Sequence, residues 1–184
     1  MFATSKSIEL VRMKGSMEIF YDTREKNNWE FFTEKLTRRR LECGDYTTSL
    51  LLNKYAVERK ASTGEVYINL GRKKHLERFH REIDKLLLLE NAECVFEFYE
   101  SDTYCFPENS GIPRYRWPSP NEIAIGKYQR GERVDTWGEL KISNKRLRGL
   151  ILDVSDRIPV VYCGTREKAE QYVLERFKEL ELKC

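Results

Sequence analysis

No CxxC pair occurs among the five cysteines, at 43, 94, 105, 163 and 184, and their number is odd. This argues against a disulfide framework and against a zinc ribbon, and favours a reducing, intracellular compartment. Histidine is scarce. His75 and His80 stand five apart, a poor spacing for one helical face, so a histidine metal pair is not expected there. Both read as partly exposed structural residues. No apolar run approaches the roughly 20 residues of a membrane span, and the N-terminus has no apolar signal-peptide core. A membrane or secreted protein is therefore not expected. A large charge of one sign is also missing, because 33 Lys and Arg offset 30 Asp and Glu to leave +3. That balance neither demands nor forbids a nucleic-acid partner, and the distribution of charge must decide.

What is present is a globular composition. The 184 residues are 40% hydrophobic and 12% aromatic, enough for one domain with a real core. Residues 1–16 read as a polar leader, with Met17 as a second candidate start, and 17–184 as a single domain. Met17–Tyr21 is a β-rich run, and Asn28 can cap a short helix over 29–34. Leu36–Leu41 reads as an edge strand. Tyr46–Leu52 and Tyr55–Lys60, separated by Asn53-Lys54, read as a hairpin.

The period then changes. Leu76, Phe79, Ile83, Leu86 and Leu87 mark one face of a helix whose other positions include Arg72, Lys73, Lys74, Arg78, Arg81 and Lys85. Cys94–Tyr99 is a strand. Residues 101–138 hold four of the five prolines and read as an irregular insertion. Ser143 can cap a helix over 144–155, Ile158–Cys163 is a buried strand, and Thr165 can cap a last helix. Strands alternating with helices predict an α/β domain, a mixed central sheet flanked by helices.

Three short pieces place charge on or beside strands: Asp22-Thr23-Arg24-Glu25, Gly44-Asp45-Tyr46 and Glu58-Arg59-Lys60. Glu58 and Lys60 are two apart and so share a strand face. An acid and a lysine on one face, with two aspartates on neighbouring elements, can build a hydrolytic metal site. Hard oxygen donors suit magnesium or manganese. The plainer reading is a set of surface ion pairs.

In this order, D-T-R-E, G-D-Y and V-E-R-K resemble the XPF-type nucleases of the restriction-endonuclease-like, PD-(D/E)xK fold. The signature of that family is a V-x-D-x-R-E-like strand, then G-D, then E-R-K-x-x-x-D. The tail is similar too: a helix, Ile158-Pro159-Val160-Val161, Gly164, and a helix opening Thr165-Arg166-Glu167. The likeness covers about 17–100 and 143–180. It implies that Asp22, Asp45 and Glu58 hold Mg2+, with Mn2+ as a substitute, and that Lys60 assists the nucleophile. Arg24, Glu25 and Arg59 fall on positions that support the site, with Glu25 counted among the catalytic groups and Arg24 and Arg59 against DNA. The last Asp of the signature falls on Gly64, with Glu65 next to it. A helix-hairpin-helix tail or helicase is common in the family, and the sequence up to Cys184 leaves room for neither.

The resemblance thus implies a magnesium-dependent DNA endonuclease, acting on branched or structured DNA, in the cytoplasm of a prokaryotic or phage-infected cell or in a nucleus. Two other readings stay open: a phage or mobile-element Holliday-junction resolvase or nickase, and a non-catalytic DNA-binding scaffold subunit. Arg72, Lys73 and Lys74 open a helix after the catalytic strand and are read as phosphate contacts, against the alternative of a solvated face. Tyr104, Phe106, Tyr115 and Trp117, interleaved with Arg114 and Arg116, either stack on unpaired bases or pack the insertion onto the domain. A homodimer is expected through the C-terminal half, where Leu147, Leu150, Ile151, Tyr172, Leu174 and Phe177 offer more apolar surface than one strand would cover.

Overall fold

Six short strands form one sheet in a computed structural model that describes residues 17–71, 73–110 and 144–184. They are β1 (Glu18–Tyr21), β2 (Lys35–Arg38), β3 (Tyr46–Thr48), β4 (Tyr55–Lys60), β5 (Asn91–Phe96) and β6 (Val160–Tyr162). Four helices accompany them: α1 (Thr63–Gly71), α2 (Lys73–Leu86), α3 (Asn144–Ser155) and α4 (Arg166–Glu181). The sheet order is β2-β1-β3-β4-β5-β6. β3 runs antiparallel to both β1 and β4, and the other pairs are parallel. This is the mixed, helix-flanked α/β sheet that the alternation of elements predicts.

Strand alternation sorts the core into two clusters, one on each face. On the first face Ala56, Cys94 and Phe96 meet Val66 and Leu70 of α1, Phe79, Ile83 and Leu86 of α2, and Leu147, Ile151 and Val154 of α3. On the second, Ile19, Tyr46, Tyr55, Val57 and Val95 meet Ala169, Val173 and Phe177 of α4, together with Trp29 and Phe31. Each fully buried side chain of this size contributes about 1.5–3 kcal/mol. Thr165 caps α4 as expected, its side chain accepting from the Lys168 amide at 3.3 Å.

Several expectations need correction. No helix forms over 29–34. Trp29 and Phe31 both turn into the second core, with Trp29 stacked on Tyr46 at 4.4 Å, while Phe32 is 89% exposed. Phe31 has φ 43, so burying these two aromatics sets the backbone there, not helical periodicity. The hairpin has a longer connection than two residues, because β3 stops at Thr48. The strand expected at Cys94–Tyr99 lies at Asn91–Phe96. α1 was not foreseen. Leu87 falls beyond the end of α2 and is exposed, and Cys163 is half-buried.

The apolar surface assigned to a dimer is largely internal. Leu147, Ile151 and Phe177 are buried, because α3 and α4 cover opposite faces of the sheet. Part of the irregular stretch is packed: Glu100–Thr103 is a 3-10 turn, and Phe106 is buried against Tyr67 at 5.1 Å. Tyr115, Trp117, Arg114, Arg116, Ser143 and the leader 1–16 lie outside the described residues.

Candidate active site

The site begins with the pleat of β4. Ala56 belongs to the first face and Val57 to the second, so Glu58 and Lys60 project toward α1 and α2, while Arg59 points the other way. The Lys60 ammonium donates to Glu58 Oε1 at 2.5 Å and to the Arg59 carbonyl at 3.2 Å. Asp45 reaches the same place from the start of β3. Its amide donates to the Val57 carbonyl, and its Oδ2 accepts from the Arg59 amide at 2.8 Å, extending the pairing of the two strands through a side chain.

Gly44 explains why glycine precedes this aspartate. Its φ is +70, and a Cβ there would lie 2.9 Å from Ala56 Cβ. Only glycine lets the chain turn that close to β4.

Two carboxylates and one ammonium are thus enclosed together. Burial and the neighbouring Glu58 push the Asp45 carboxyl well above the usual range, and Lys60 offsets only part of this. For Lys60, burial alone would favour the neutral amine. Glu58 and Asp45 outweigh it and hold the ammonium far above its ordinary value. Lys60 is therefore a proton-bearing donor and positive charge rather than a base in this state.

Asp22 takes a different place from the one expected of it. It is fully buried. Its Oδ1 accepts from the Arg24 amide at 2.8 Å and from Arg24 Nε at 2.6 Å, and its Oδ2 accepts from the Leu41 amide at 2.8 Å. Burial raises its pKa, but these hydrogen bonds outweigh that and hold it below the usual value. Both oxygens are engaged by the scaffold.

Arg59 also differs from expectation. Its side chain is 6% exposed and is held by Glu97 at 2.6 and 2.9 Å and by Glu25 at 3.2 Å. That charge is matched internally and is not presented to a phosphate. Glu97 was missed by sequence reasoning. It also accepts from the Trp29 indole at 2.5 Å. The available signal was a single acid inside the apolar run Cys94–Tyr99.

Glu65 stands where the signature's last acid was displaced by one position. Its Oε1 lies 4.0 Å from Lys60 Nζ, and its Oε2 accepts from the Ala61 amide at 2.9 Å. Ser62 Oγ accepts from the Glu65 amide at 3.1 Å, so the opening of α1 fixes this acid beside the lysine.

Asp45, Arg59, Lys60 and Glu65 line a cleft of about 420 Å3 that also takes in Arg24, Glu25, Lys26, Asn69, Arg78 and Glu82. Arg78 donates to Asn69 Oδ1 at 3.2 Å and brings a cation to the rim from α2. Arg72 lies outside the described residues, and Lys73 and Lys74 are placed at the start of α2 by backbone alone.

For a divalent cation the fit is partial and specific. Asp45 and Glu58 are neighbouring hard donors, close enough for Glu58 to raise the Asp45 carboxyl, and the Arg59 carbonyl adds a third oxygen. Asp22 does not complete the set. Among the described residues no three His, Cys, Asp or Glu side chains converge as a metal cluster.

No protein-family model matches the sequence, and no curated protein matches it closely. Solved structures do. The chain is similar to XPF from Aeropyrum pernix at 13% identity and TM-score 0.52, covering 87% of this chain and 64% of that one. It is similar to the same protein in complex with DNA at 16% identity and TM-score 0.52, covering 91% and 66%. The chain thus spans just under two thirds of the proteins it matches. With its mixed six-stranded sheet and flanking helices, the chain has an XPF-like nuclease fold.

Proposed function

We propose that this chain is a metal-dependent DNA endonuclease that hydrolyses phosphodiester bonds, with branched or structured DNA as the preferred substrate. The observation that carries the reading is the convergence of Asp45, Glu58 and Lys60 beside one another, with Asp45 and Lys60 lining the cleft. The fold, shared with a protein that has been solved on DNA, supports it.

Asp45, Glu58 and the Arg59 carbonyl would hold the cation, with Mg2+ preferred and Mn2+ as a substitute. A cation so held would supply polarisation of the phosphate and acidification of water. Lys60 donates a hydrogen bond and a positive charge where charge builds on the phosphate oxygens during in-line attack by water. Glu65, beside the ammonium, fixes its direction. Arg59, clamped by Glu97 and Glu25, keeps the β4 backbone in place under the site. Arg24 and Arg78 stand on the rim, where they reach flanking phosphates.

The test is a panel of labelled flap, fork, four-way-junction and linear duplex DNA, with and without magnesium. Cleavage that requires magnesium and favours a branched substrate is expected. Glu58→Gln and Lys60→Ala should each lower the rate by about 10²–10³-fold, the scale for one lost electrostatic group. Cutting confined to four-way junctions would make this a resolvase. Binding without cutting under any divalent metal would make it a scaffold subunit and end the catalytic reading.

A further inference from the structure

We propose that a second cleft, lined by Arg24, Arg40 and Lys85 beside the catalytic one, is a phosphate-binding channel that takes the DNA backbone as it leaves the cutting site. This rests on the reading of DNA as substrate. The cleft encloses about 820 Å3 and is lined by Thr23, Arg24, Arg40, Leu41, Glu42 and Lys85. Arg24 lines both clefts and forms the wall between them. A strand held over Asp45 and Glu58 therefore meets Arg24 and passes next into a basic channel.

Three elements contribute the charge. Arg38, Arg39 and Arg40 are consecutive and exposed at the end of β2, and Lys85 comes from the last turn of α2. Arg38 donates to the Thr23 carbonyl at 2.6 Å, and the Arg39 guanidinium lies 4.8 Å over the Phe20 ring. Both heads are held near the sheet rather than trailing in solvent. Of the acids around the cleft, Asp22 is taken by Arg24, Glu18 by Lys35 and Glu82 by Lys85 at 3.2 Å, and Glu42 stands in the lining itself. Arg40 has no ion pair among the described residues.

This arrangement accounts for Asp22. A fully buried acid that binds both Arg24 and the Leu41 amide ties the wall to the floor of the channel. A run of arginines on an edge strand also guards against sheet-to-sheet pairing. That role explains Arg38 and Arg39, but not why Arg24, Arg40 and Lys85 from separate segments converge on one concavity. The chain as a whole carries only +3, so the concentration is local.

The experiment measures binding of a short fluorescein-labelled duplex by anisotropy over a salt series, without divalent cation so that nothing is cut. The full chain is compared with Arg40→Ala/Lys85→Ala, with the charge-keeping Arg40→Lys/Lys85→Arg, and with Lys178→Ala/Lys183→Ala on α4. Each lost phosphate contact lowers the salt slope by about 0.9, so the first double variant should lose about 1.8 and bind about tenfold more weakly. The charge-keeping and α4 variants should follow the wild type. Arg40→Glu, a single exposed change, gives the same reading if the double variant melts early. An unchanged slope in the double variant, or in Arg40→Glu, overturns the channel while leaving DNA cleavage standing. A wild type that neither binds nor cuts DNA overturns the reading on which the channel rests.

Discussion

At the residue scale, the ionisation of Asp45 sets function against stability. Its carboxyl is held well above the usual range by burial first and Glu58 second. The folded state therefore binds this proton more tightly than the unfolded chain does. The protein should lose stability as pH rises from the unfolded carboxylate pKa through the elevated folded one. Asp45→Asn removes that loss and keeps an oxygen for the Arg59 amide. It should melt higher than the wild type at neutral pH, equally at acid pH, and show no cleavage. Added Mg2+ should raise the wild-type melting temperature and leave the variant's unchanged. Equal melting at neutral pH would show that Asp45 bears no such cost.

The sharing of one face by Glu58 and Lys60 was legible because alternation in a strand is a strict rule. The engagement of Asp22 was not, since it depends on a turn that brings Arg24 and Leu41 to the same carboxylate. Glu97 was hidden for a similar reason, because its partners Arg59 and Trp29 are distant in sequence.

At the scale of elements, α1 holds the least obvious contribution. Its apolar residues Val66, Tyr67 and Leu70 are few, so periodicity alone did not mark it. The signature was nevertheless present: Ser62 followed three residues later by Glu65 opens a helix. Ser62→Ala should cost about 1 kcal/mol by loss of the cap. It should also loosen Glu65 beside Lys60 and so lower cleavage more than stability alone explains. Thermal melting and single-turnover rates separate the two effects, and a variant that melts early but cuts at full rate would leave Glu65 without a role. The false helix at 29–34 is the converse case. There a capping residue and adjacent aromatics mimicked a helix start, and tertiary burial of Trp29 and Phe31 overrode it. α4 was legible throughout because Thr165 and the apolar positions agree.

At the scale of the whole molecule, the two faces of the sheet have different tasks. The face under α1, α2 and α3 carries Asp45, Glu58 and Lys60, whereas the face under α4 carries their support. Leu147, Ile151 and Phe177 of the expected dimer surface are core, so pairing of two copies stands as a proposal only. Light scattering near 44 kDa, about twice the 21.9 kDa chain, would bear out that proposal. A fully active 22 kDa particle would make the single chain the functional unit.

Trp29 gives the protein a fluorophore of its own. The indole is sealed from water, stacked on Tyr46, bonded to Glu97, and has the Arg59 guanidinium 5.7 Å from its ring. The other two tryptophans, Trp117 and Trp137, can be exchanged for phenylalanine. What remains is a single emitter one strand face behind the proposed cutting site. Its colour and lifetime follow the Glu97–Arg59 bond, so a movement of β4 on loading of the cleft becomes an optical signal that needs no labelled DNA.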